Sequence, residues 1–225
     1  MDIKIPYTPR KHQSYLHKQI DKNRWSVLVC HRRFGKTVCM INHLIRSALL
    51  SKLKNPRFAY IAPTFKQAKS IAWDYMKQFT DKIPYIKFNE TELRVDLPNG
   101  SRITLLGSDS PDGLRGIYLD GCVIDEYANV NSKLFPEIIR PALSDRKGYC
   151  VFIGTPQGMN NNFYELYQHS QGAEDWFNYK AKASETKIVD PDELVKAKEV
   201  MGEKKYNQEF ECDWIANIEG AVYGD

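Results

Sequence analysis

VLVCHRRFGKTVCMI, residues 27–41, decides the fold. An apolar run ends at Cys30, a polar loop carries Arg32, Arg33 and Gly35, and after Lys36 and Thr37 the pattern turns helical. A loop that joins a strand to a helix N-terminus points several unpaired backbone N–H groups at one place, where the helix dipole adds partial positive charge. An anion is the natural occupant. Gly35 lets the backbone approach a phosphate, Lys36 can reach the β- and γ-phosphates, and Thr37 can offer its hydroxyl to magnesium. The usual pattern, GxxxxGK[ST], has a glycine where this chain has Cys30. Of the two arginines crowding the loop, Arg32 above all could lie over a γ-phosphate and stabilise charge there; either could instead be a solvated surface cation.

Outward from that loop, strand-like and helical runs alternate. WSVLVC precedes a helix from about Thr37 to Leu50, and FAYIA precedes one from about Phe65 to Phe79. This rhythm predicts an α/β fold, a doubly wound and mainly parallel sheet flanked by helices. LRVDLPNGSRITLLG alternates apolar and polar residues around Pro98, Asn99 and Gly100, which predicts a hairpin at the sheet edge. LDGCVIDE and YCVFIGTP read as buried strands with polar C-terminal ends, the edge at which open parallel sheets bind ligands. Residues 1–158 therefore form the expected P-loop core. From residue 159 the texture shifts to helices and one strand, which predicts a small lid subdomain over 159–216, with 217–225 as the start of a linker. Tyr206, Phe210 and Trp214 fall on one face of a predicted helix and should pack into the core.

LDGCVIDEY supplies the second half of the site. Its strand brings Asp125 and Glu126 to the sheet edge, where Asp125 can hold magnesium directly or through water, and Glu126 can act as general base on a water attacking the γ-phosphate. An acidic helix start would account for one carboxylate but not for two behind a buried strand. In YCVFIGTPQG, Thr155 either senses the γ-phosphate or belongs to a plain turn made by Gly154, Pro156 and Gly158. In PDGLRG, Arg115 reads on the residues alone as part of a solvated turn. Gln13 in YTPRKHQSYL has an amide able to donate to and accept from an adenine edge, or simply opens a surface helix. Lys66 and Lys69 could touch a phosphate backbone, but they have the spacing of a solvated helix face.

Bulk composition narrows the class without choosing a function. The 225 residues carry 32 Lys plus Arg against 28 Asp plus Glu, a net charge of +4 that tolerates an anionic partner without the density of a histone-like binder. Five cysteines show no CxxC spacing, which argues against zinc and a disulfide framework. No segment approaches the roughly 18 apolar residues of a membrane span, and the start MDIKIPYTPR lacks a signal-peptide pattern, so a soluble intracellular protein is expected.

Taken together, HRRFGKT, CVIDEYA, IGTPQG and FECDW resemble the ATPase domain of the large terminase subunit of tailed bacteriophages, the motor that packages DNA into a prohead. That family carries an arginine-bearing Walker A loop which often lacks the first glycine. The resemblance implies a P-loop NTPase using ATP and Mg2+, with Lys36 and Thr37 as Walker A residues, Asp125 and Glu126 as the Walker B pair, and Gly154, Thr155 and Pro156 as the motif coupling hydrolysis to movement. Gln13 matches an adenine-recognising glutamine, Arg32 the in-loop arginine, and Arg115 a position from which some members reach a neighbouring subunit's ATP. The implied partners are double-stranded viral DNA, a portal ring, a small terminase subunit and further copies in a ring, a pentamer by resemblance, in the host cytoplasm. A C-terminal nuclease domain, present in the family, is expected to lie outside this chain. A helicase or repair ATPase, and a nucleotide-binding regulatory module with negligible turnover, are the competing readings of the same residues.

Overall fold

The computed structural model describes residues 4–109 and 114–215. Helix α1 (Lys11–Ile20) leads into β1 (Trp25–Cys30) and α2 (Lys36–Leu50). Strand β2 (Arg57–Ala62) is followed by α3 (Phe65–Gln67), a π-helical segment Ala68–Trp73 and α4 (Asp74–Thr80), which together fill the second predicted helix. Next come β3 (Lys87–Asn89), β4 (Arg94–Asp96), β5 (Arg102–Gly107) and β6 (Gly121–Ile124). A second π-helical segment, Phe135–Ile139, runs into α5 (Arg140–Ala142) ahead of β7 (Tyr149–Gly154). The remainder is α6 (Asn162–Ser170), β8 (Trp176–Ala181), α7 (Ala183–Thr186), α8 (Pro191–Met201) and α9 (Glu203–Phe210).

Among the described residues, eight strands join one sheet in the order β3-β4-β5-β2-β6-β7-β1-β8. The pairs from β5 through β8 are parallel, and only β3-β4 and β4-β5 are antiparallel. The predicted parallel sheet and its hairpin are thus both present. The hairpin's second strand, β5, nevertheless sits inside the sheet against β2, so only β3 and β4 form the antiparallel margin.

Burial on both faces explains why the central strands read as unbroken apolar runs. Leu28 and Cys30 of β1 face a layer that includes Leu16, Ile20 and the α2 residues Met40, Ile41, Leu44 and Ile45. Trp25, Val27 and Val29 face the other layer, with Phe135, Ile139 and Phe163. Local chemistry fixes the helix starts: Thr64 and Gln67 form a reciprocal capping box on α3, Asn161 caps α6, and Asp190 caps α8 with Pro191 behind it.

Within the segment after residue 159, β8 pairs in parallel with β1 from Trp25↔Trp176 to Cys30↔Ala181 and so adds a strand to the core sheet. Five of the six β8 residues are half-buried, as befits an outer strand, so the apolar run expected of a sheet strand is missing from its sequence. One expectation is corrected. Tyr206, Phe210 and Trp214 do not share one helix: α9 ends at Phe210, and Cys212 turns the chain at φ 53°. Phe210 and Trp214 are buried all the same, Trp214 against Phe163, Tyr164 and Tyr167. The proposed linker 217–225, and residues 111–113 of PDGLRG, lie outside the described residues.

Candidate active site

Three parallel strands in the order β6-β7-β1 end side by side and carry the predicted motifs on their C-terminal edges. β7 lies between the other two, so Thr155 sits between the Lys36 loop and the acidic pair. Sequence spacing could not supply that strand order.

The first loop shows why Cys30 need not be glycine. Cys30 is the last residue of β1, fully buried and in register with Ala181 of β8, in extended backbone that any residue adopts. The turn is made later, at Arg33 with φ 69° and at Gly35 with φ 87°. Gly35 caps α2 in the left-handed region, where a side chain is strained; an added Cβ would also come within 3.0 Å of Gln13 Nε2. His31, buried, ties the loop down through Arg32 O at 2.6 Å and Thr186 Oγ1 at 2.8 Å.

Gln13 is buried rather than a solvated helix start. Its Nε2 donates to Gly35 O at 3.3 Å and its Oε1 accepts from Arg10 N at 2.9 Å. Arg10 in turn donates to Phe34 O at 3.3 Å, so the first turn of α1 braces the loop. Lys36 Nζ donates to Cys30 O at 3.2 Å. Arg32 and Arg33 are exposed. The Arg32 N–H donates to Glu209 O at 2.8 Å, and its guanidinium stands 4.0 Å from the Glu209 carboxylate.

Asp125 is buried, accepts from Glu126 N at 2.9 Å through Oδ1, and accepts from the Tyr60 hydroxyl through Oδ2. The Thr37 side chain adjoins the same group and acts electrostatically on both Tyr60 and Asp125. Burial pushes the Asp125 carboxyl above the ordinary range, while Tyr60 and Lys36 pull it back. Glu126 follows in the left-handed region at φ 47°, a strained conformation that costs about 1 kcal/mol and is found disproportionately at functional sites. Its pKa is pushed up to about 7, first by burial, with Lys36 opposing and Asp125 and Glu209 adding to the rise. The backbone of Thr155 faces the Glu126 carboxylate and draws its pKa slightly back down.

Thr37 and Asp125 place hard oxygen donors side by side, the donor type magnesium requires. Among the described residues no three His, Cys, Asp or Glu side chains converge to hold a metal alone. That combination fits an ion which keeps several waters and takes the rest of its shell from phosphate oxygens.

Lys36, Thr37, Asp125, Glu126 and Thr155 are therefore assembled in one place, with Gln13 and Arg32 at its border. Arg115 is exposed after Leu114 and belongs to none of the contacts above. Lys66 and Lys69 are exposed on the α3 side, as expected of a solvated face. Sequence reasoning missed Tyr60, Gln208 and Glu209. A tyrosine in an apolar strand reads as core, and two polar residues near a helix end read as surface; only the tertiary contacts reveal them.

The sequence matches the family described as "Terminase large subunit, T4likevirus-type, N-terminal" over residues 29–224. The large terminase subunits of Thermus phage G20c and Thermus virus P23-45 are 31% and 30% identical over 182 residues, which is 72% of this chain and 36% of each relative. The chain thus spans about a third of the length of these curated relatives. The ATPase domain of the Thermus phage P74-26 large terminase superposes with a TM-score of 0.78 at 20% identity, covering 94% of this chain and 96% of that one. The large terminase of another thermophilic bacteriophage, solved in complex with ADP, gives 0.78 at 15% identity over 91% of this chain and 53% of its own. These two likenesses establish the fold, and the sequence matches establish kinship: the chain belongs to the N-terminal family of the large terminase subunit.

Proposed function

We propose that this chain hydrolyses ATP with Mg2+ and converts the cycle into movement of double-stranded DNA during viral packaging. The observation that carries this reading is the meeting of Lys36 and Thr37 with Asp125 and Glu126 across β7, from segments far apart in the sequence. The N-terminus of α2 and Lys36 would receive the triphosphate. Gln13, Gly35 and Arg33 would line the approach of the nucleotide, and Thr155 would face the γ-phosphate. Thr37 and Asp125 would hold the magnesium, which when bound offsets negative charge on the β- and γ-phosphates. Glu126, with a pKa near 7, is matched to take a proton from the attacking water near neutral pH. Arg32 would place positive charge over the transferred phosphoryl group, and Arg115 would do so in a neighbouring copy's site.

Kinship with large terminase subunits favours packaging over strand separation or a silent switch. It supports a portal ring, a small terminase subunit and a ring of copies as partners in the host cytoplasm. Among the described residues no helix is long and apolar enough to cross a membrane. Within 159–216, α7 to α9 are the part able to act as a lid, since α9 reaches both the Arg32 loop and the loop after β7. Phosphate release by the chain, with and without double-stranded DNA, tests the reading: Glu126→Gln should lower the rate at least about a hundredfold. An unchanged rate in that variant overturns it.

A further inference from the structure

Helix α9 touches the candidate site at a point no motif announces. Gln208 is fully buried, and its Nε2 donates to Pro156 O at 2.7 Å and to Gln157 Oε1 at 3.3 Å. Its own Oε1 is buried without a hydrogen-bond partner among the described residues. An orphaned buried acceptor costs stability, so packing alone would be served as well by an apolar side chain of the same shape. The amide's surviving purpose is its donation to Pro156.

Pro156 has no N–H and follows directly on Thr155, whose backbone faces the Glu126 carboxylate and favours its charged form. The end of β7 also packs beside the backbone of the acid: a Cβ built on Gly154 would meet Phe163 at 3.2 Å, Tyr127 N at 3.5 Å and Glu126 Cα at 3.6 Å. A displacement of the Thr155–Gln157 loop is therefore passed to Glu126. The path runs from α9 through Gln208 and the Pro156 carbonyl to the Thr155 backbone and the carboxylate.

We infer that Gln208 is a positioning residue for the hydrolytic step, holding the loop after β7 so that Thr155 orients Glu126. This deepens the proposed ATPase reading and rests on it. Gln208 acts on orientation of the base and makes no contact with Lys36 or Thr37 in the hydrogen-bond network described. Its loss should lower kcat while leaving ATP affinity intact.

The experiment uses Gln208→Met in the full 225-residue chain, a substitution that keeps length and shape but removes donor and orphaned acceptor together. Thermal unfolding, ATP turnover and backbone hydrogen exchange are measured on the variant and the parent. The expected result is a melting temperature at or near that of the parent, kcat lowered about tenfold or more, KM within about twofold, and faster exchange at Thr155 and Gln157 but not at Gly35–Thr37. Parental kcat with unchanged exchange overturns the inference. So does a proportional loss of stability, activity and protection everywhere, which would mark a merely structural side chain. If the parent chain itself shows no turnover, the proposed function fails, and the exchange comparison alone then decides whether Gln208 holds this loop.

Discussion

The Tyr60 hydroxyl donates to Oδ2 of Asp125 from the neighbouring strand, and both side chains are buried. The contact keeps a carboxyl at the sheet edge from being stranded in a low-dielectric interior. Tyr60→Phe keeps the ring and removes the donor. Unfolding in urea should show a loss of about 1.5–3 kcal/mol, the range for a hydrogen bond to a charged group. A variant as stable as the parent would show that Asp125 does not depend on Tyr60.

The strained, buried Glu126 makes opposite demands on stability and activity. Its pKa is raised to about 7 in the folded chain, so the fold binds a proton that the unfolded chain has already lost between about pH 4.5 and 7. Its contribution is present in acid and disappears as pH rises through 7. Glu126→Gln should therefore be more stable than the parent at pH 8, by about 1–3 kcal/mol, and gain nothing at pH 4. ATP turnover by the parent should rise with pH through about 7 as the base ionises. Denaturation curves and rates at several pH values check both signs.

The opposite sign is expected behind α2. His17 and His43 stack with ring centroids 5.3 Å apart and Nδ1 atoms 3.1 Å apart, near Tyr7, Cys39, Asp21, Arg46 and Tyr149. Burial lowers the His17 pKa to about 4, with Arg46 adding to the fall and Asp21 opposing it, and the His43 pKa to about 3, with His17 and Arg46 adding and Asp21 opposing. Their contribution is present above pH 6.5 and is lost as pH falls toward 4. His43→Phe should flatten that part of the stability profile, measured by unfolding at pH 7 and pH 4.5.

Cys30 closes a buried strand and does not shape the anion cradle. Cys30→Gly, which restores the common motif, should cost about 1 kcal/mol or more in stability and yield no tighter ATP binding. Gly35→Ala should be the harmful change, because the left-handed cap strains any side chain and an added Cβ would crowd Gln13 Nε2. Calorimetric titration of ATP into the two variants separates them.

Much of the site was legible because its chemistry is local. The strand–loop–helix around Gly35 and the apolar run before Asp125 each announce themselves within about ten residues, and the alternation of runs implies a parallel sheet. The strand order was not legible, since no local pattern says that β7 inserts between β1 and β6. β8 escaped for a related reason: an outer strand with mostly half-buried residues lacks the continuous apolar signature. Tyr60, Gln208 and Glu209 act through partners 65, 52 and 177 residues away, and periodicity carries no information at that range. The helical periodicity through Tyr206, Phe210 and Trp214 misled because Cys212 breaks the helix while Trp214 still finds the core.

The most direct test is calorimetric titration of Mg·ATP into the chain and into Lys36→Ala. Placement of the triphosphate between the Lys36 loop and the acidic pair predicts binding at least about tenfold weaker in the variant, since a charge-assisted contact to phosphate is worth about 1.5–3 kcal/mol. Equal affinity in the two proteins would contradict that placement, and with it the assignment of these loops as the ATP site.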